Sequence, residues 1–269
     1  MAASEITPRE RSIDGLGTAA EMPRGGRSLV VPAMIAGAWM IVLVAQATGT
    51  AAALHHHALI EGGPPLWVAL PLFLVAWQVM IVAMMLPASL PAVRSFQAGS
   101  LALSRPSFAI AALLGAYGII WAAVGFLAVM GDFVLHQVVD AWPWLAARPW
   151  LIEAGVLGLA GSYQFLPLKR RALAACRHPG HLAPSASLPG LSATQLGVRH
   201  ALECLGSSWA LMLVMFAAGF ASLWTMAALT VLMLYEATGR HGPRAATAAG
   251  IILLIAALTV LSGPLPGTA

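Results

Sequence analysis

The sequence predicts an all-α fold, a polytopic transmembrane helix bundle of about seven spans, and two observations carry that prediction. Of the 269 residues, 59% are apolar and 9% charged, against about 45–50% and about 25% in a soluble globular chain. With a mean hydropathy of +0.83, one core cannot hide all the apolar surface, so lipid must be part of the solvent. The apolar residues also gather into stretches near 29–54, 66–92, 107–130, 150–167, 199–218, 221–237 and 245–263. Each can cross a hydrocarbon core, which takes roughly 20 helical residues with about 17–25 tolerated.

Each element has its own justification. Residues 1–28 mix Arg, Glu, Asp, Gly and Pro without an apolar period and read as a disordered cytoplasmic tail. The stretch after Arg27 is too long for the core of a cleavable signal. The bundle then occupies 29–263, with 264–269 as a short outer tail. Residues 131–149 resemble an amphipathic segment on the outer surface, and 172–197, with Pro179, Pro184 and Pro189, form a cytoplasmic loop. Between His200 and Tyr235 the apolar run is too long for one crossing, and Gly219 with Ser222 offers its break. With that break and the N-terminus inside, 13 basic residues fall on the cytoplasmic side and only Arg148 outside. Basic residues near span ends are retained in the cytoplasm. The expected setting is a bacterial cytoplasmic membrane, crossed by a multi-pass chain with its C-terminus outside.

Composition also excludes partners. The formal charge is +4 with no long basic run, so there is no nucleic-acid footprint. Two cysteines make no disulfide framework and are left as free thiols, packing residues or metal ligands.

Three groups of side chains could carry chemistry. In the second span Trp77, Met80, Met84, Pro87 and Pro91 recur at three- and four-residue steps on one helix face, with Met85 about 100° away. Thioethers are soft ligands suited to Cu(I), although Met also simply fills gaps. Two prolines near a helix end would free carbonyls that need new partners. The fifth span opens with His200, Glu203 and Cys204 on one helical turn, and the loop upstream brings Cys176, His178 and His181 to the same side. Imidazole and thiolate together suit copper or zinc. Tyr163, Gln164 and Glu236 fall at the same expected depth, so a cavity is expected there. On the opposite face His55, His56 and His57, with Asp132 and His136, offer a second, outer cluster, for which a polar helix end in water is the better explanation because no fixed ligand geometry is implied.

Three of these stretches resemble a known family. Trp77-Gln78-Val79-Met80 with Ala83-Met84-Met85-Leu86-Pro87 and Pro91, then Tyr163-Gln164-Phe165-Leu166-Pro167-Leu168-Lys169 with Cys176-Arg177, then Cys204-Leu205-Gly206 with Trp209 and Glu236, are similar to the bacterial domain of unknown function 2182. The resemblance spans about 66–240 and implies a metal-binding integral membrane protein. The family pattern has two cysteines where this chain has Ser207 and Ser208, and a Lys where it has Ala237. A site here would therefore draw on Cys176, His200, Cys204 and Met84.

Three functions remain open at this point. One is a metal-handling membrane protein for copper or zinc. Another is a transporter or channel with a polar pathway through Gln78, Gln164, Glu203 and Glu236. The third is a non-enzymatic scaffold packing a membrane-protein partner through small residues. No general-base constellation of defined geometry is visible, which disfavours an enzyme.

Overall fold

The computed structural model describes residues 29–50, 65–178 apart from 102 and 104, 193–218 and 222–263. The tails 1–28 and 264–269, the His55 to His57 cluster, His181 and Gly219 lie outside the described residues. Every described element is helical, in the order α1 Val30–Ala47, α2 Leu66–Ser100, α3 Pro106–Ala141, the single turn α4 Pro143–Ala146, α5 Pro149–Tyr163, α6 Pro167–Arg177, α7 Ala193–Ala218, α8 Leu223–Thr238 and α9 Gly242–Leu261. Helix α2 packs on α1, α3 and α8, while α7 packs on α3, α5 and α6, and α9 closes on α5.

All seven expected stretches hold a helix. By length and composition α1, α2, α3 and α9 can each cross a membrane, and α5 with α6, bent by 63°, makes a fifth crossing if taken as one broken span. The 16-residue α8 is shorter. The expected break before it is present, since α7 ends at Ala218 and α8 begins at Leu223. Ser222 caps the new helix, its Oγ accepting from the Thr225 backbone N–H at 3.3 Å, which satisfies one of the orphan donors of the first turn.

Two boundaries differ from expectation. Helix α3 runs unbroken from 106 to 141, so Asp132 and His136 stay on the spanning helix rather than on a separate surface segment. The loop expected over 172–197 is shorter, because α6 continues to Arg177 and α7 has begun by Ala193. Pro167 starts α6 at a position where a missing N–H costs nothing.

One proline inside α2, Pro87, is accommodated by a specific repair. Pro87 cannot donate to the Ala83 carbonyl four residues earlier, and the Trp39 indole N–H of α1 donates to that carbonyl at 3.0 Å. Nearer the helix start, the Trp77 indole N–H reaches the Trp121 carbonyl of α3 at 2.8 Å. The indole lies so close to Gly125 that a Cβ there would stand 2.6 Å from the ring. Glycine is what lets α3 accept the indole.

Candidate functional site

The site is assembled where α2, α6, α7 and α8 meet. Its centre is a cavity of about 20 Å³, room for about one water-sized occupant. Cys176 of α6 and Cys204 of α7 both line it, with Met85 and Ser89 of α2, His200 of α7, and Met233 and Glu236 of α8. The two thiols are the only cysteines of the chain, and both are free.

Cys204 is held by hydrogen bonds on both sides. Its Sγ stands 3.2 Å from the Tyr117 hydroxyl, which itself accepts from Ser89 Oγ at 3.5 Å. The Tyr117 ring stacks on His200 with centroids 5.7 Å apart, so the imidazole, 2% exposed, is fixed as part of the cavity wall. Ser207 and Ser208 turn their hydroxyls back, each donating to the Cys204 carbonyl at 2.8 Å. Ser207 Oγ also lies 3.8 Å from Cys176 Sγ, which ties the two cysteine-bearing turns together.

A buried charge pair closes one side. Lys169 Nζ meets Glu236 Oε2 at 2.6 Å, with both side chains almost wholly excluded from solvent, and the ammonium also donates to the Ser207 carbonyl. Arg177, two turns along α6, donates to the Glu236 carbonyl at 2.6 Å and the Gly239 carbonyl at 2.8 Å. Those carbonyls end α8, where four acceptors have no helical partner and carry partial negative charge, so a guanidinium is favoured there. Sequence reading missed this clamp: Lys169 looked like one of several interfacial bases, and its partner lies 67 residues away. The missed Met233 gave only a weak signal, one more methionine in an apolar span.

The other predicted side chains are placed as follows. Met80 and Met84 are buried in the same apolar core, outside the cavity lining. Tyr163 donates to the Gly206 carbonyl at 2.6 Å, and Gln164 Nε2 donates to the Ala160 carbonyl at 3.0 Å. Both are buried at the α5 end, behind α7, and do not line the cavity. Glu203 faces the opposite side of α7, in a groove between α6 and α7, and receives Arg199 at 3.0 Å. Gln78 Nε2 donates to the Gly118 carbonyl at 2.9 Å, so the four groups of the transporter reading point into separate environments. At the far end of α3, His136 Nδ1 lies 3.6 Å from Asp132 Oδ1.

With this geometry in view, the comparison that decides the family is the match of the PpoB2 copper chaperone family to residues 74–260, well over half of the chain. The chain belongs to that family. No curated protein and no solved structure matches it. The match narrows the choice between copper and zinc toward copper, and the donors agree. Among the described residues no three His, Cys, Asp or Glu side chains stand close enough to hold one metal ion of any kind. The two thiols and two thioethers that line the water-sized cavity are soft donors, a type suited to Cu(I).

Proposed function

We propose that the protein is a multi-pass membrane copper handler that takes Cu(I) as cargo between Cys176 and Cys204. One observation carries the reading: the chain's two thiols come from different helices and line one buried cavity beside Met85 and Met233. In this reading the thiols hold the ion, the thioethers complete its surroundings, and His200 serves as wall and reserve donor. The 13 to one basic asymmetry of the seven-span reading supports a cavity in the cytoplasmic leaflet with the N-terminus inside, the bilayer supplying the solvent for the outer helix faces. Ser207 and Ser208 line the cavity as well, but they bring hydroxyls that donate to the Cys204 carbonyl, so the site rests on two thiols where a cysteine-richer relative would have four.

The test is element analysis of detergent-purified protein loaded with Cu(I) under ascorbate. Wild type is expected to retain stoichiometric copper against a washing step, and Cys176→Ser/Cys204→Ser to retain none. Equal copper in the double variant, or zinc displacing copper at parity, would overturn the reading.

A further inference from the structure

Methionines continue away from the cavity along the α2–α8 contact. Met80 of α2 and Met226 of α8 both line a separate apolar groove of about 220 Å³, walled by α1, α2 and the start of α8. Met85 and Met233 line the thiol cavity. On α2 the step from Met80 to Met85 is about 7.5 Å, and on α8 the step from Met226 to Met233 is about 10.5 Å, at 1.5 Å per residue. The two helices therefore carry paired thioethers at two levels. Met84, fully buried in the same core, lies between the levels. At the cavity end Glu236 offers a carboxylate whose Oε1 is buried without a hydrogen-bond partner among the described residues.

We propose that Met80 and Met226 form a second Cu(I) station, and that the ion moves between groove and cavity along the thioethers of α2 and α8. The inference rests on copper being the cargo. Packing alone would explain methionine in an apolar core, but it does not require that thioethers from both helices line the groove and again line the cavity. A thioether is neutral and soft, so it can pass Cu(I) on without taking up or releasing a proton. The ion keeps its single charge throughout and only its donors exchange. The Glu236 charge is balanced by Lys169, so the cavity end offers the ion one carboxylate oxygen without a hydrogen-bond partner among the described residues rather than a net negative charge.

Full-length protein in liposomes of bacterial phospholipid, with the Cu(I) indicator bicinchoninate trapped inside and ascorbate-reduced copper supplied outside, gives the rate of passage. Loading of the same protein in detergent followed by the washing step, which leaves only the copper held between the thiols, gives cavity occupancy separately. Met80→Leu/Met226→Leu nearly conserves volume and should fold. It is expected to keep full occupancy and to slow passage roughly tenfold or more, the scale on which changed metal surroundings act. Met212→Leu/Met215→Leu, in the same core but lining neither space, is expected to change neither quantity. An unchanged rate in the first variant, an equal slowing in the second, or a wild type that loads but passes nothing overturns the proposal. Loss of loading in wild type itself would instead remove the copper reading beneath it.

Discussion

Two of the close contacts that glycines open among the described residues solve different problems. Between α5 and α9, a Cβ on Gly161 would lie 3.0 Å from the Gly250 carbonyl oxygen, and one on Gly250 would lie 2.9 Å from Gln164 Cβ. That contact is backbone against backbone, the close approach that small residues allow between apolar helices. At the start of α9, a Cβ on Gly242 would overlap the Arg177 guanidinium and the Glu236 carbonyl. There the missing side chain makes room for a cation that ends α8. The first contact holds helices together, whereas the second holds a charge beside the thiol cavity. A shared residue type therefore says nothing about role until the atom it makes room for is known.

The comparison predicts which substitutions reach copper. Lys169→Met should have the largest effect, because it leaves the Glu236 carboxylate buried without its cation, a loss of about 3–5 kcal/mol for a broken buried pair. Thermal unfolding in detergent measures it, and copper retention should fall as well, since Glu236 lines the cavity. Lys169→Met/Glu236→Leu, which removes both charges, should recover most of the stability. If the single variant unfolds like wild type, the clamp is not what secures this end of α8.

Gly250→Leu should cost less, about 1–3 kcal/mol for overpacking, because its side chain must displace the Phe165 ring and α5. Copper stoichiometry should stay at the wild-type level in the fraction that remains folded. Loss of copper from folded Gly250→Leu protein would mean that the α5–α9 contact shapes the cavity too, and the contrast would collapse.

The same contrast explains what the sequence disclosed. Hydropathy located all seven helical stretches, and Gly219 with Ser222 marked the break before α8, because lipid-facing composition and capping chemistry are local properties. The carbonyl freed by Pro87 was legible as a need, though its donor, Trp39, was not. Of the side chains singled out in the sequence, Cys176, His200, Cys204, Glu236 and Met85 line the cavity. Depth does not fix azimuth, however. Tyr163, Gln164 and Glu203 share the level but lie behind or outside α7, and Met84 yields its expected place at the cavity to Met85. Lys169 and Met233 were hidden because their meaning depends on contacts between helices far apart in the chain.

Tyr163→Phe should produce the smallest effect. The hydroxyl donates to the Gly206 carbonyl at 2.6 Å, and its loss should cost about 0.5–1.5 kcal/mol, the net value of one intramolecular hydrogen bond. The ring itself should stay, since it packs edge-on against Trp209 with centroids 4.8 Å apart. Gly206 faces the α6–α7 groove rather than the thiol cavity, so copper affinity should be unchanged when titrated against a competing Cu(I) chelator. Tyr163 therefore separates depth from geometry: it was a cavity candidate on depth alone, yet its hydrogen bond leads to the other side of α7. A tenfold loss of affinity in Tyr163→Phe would mean that this bond sets the rotation of α7 and with it the aim of Cys204, making the α5 side part of the site after all.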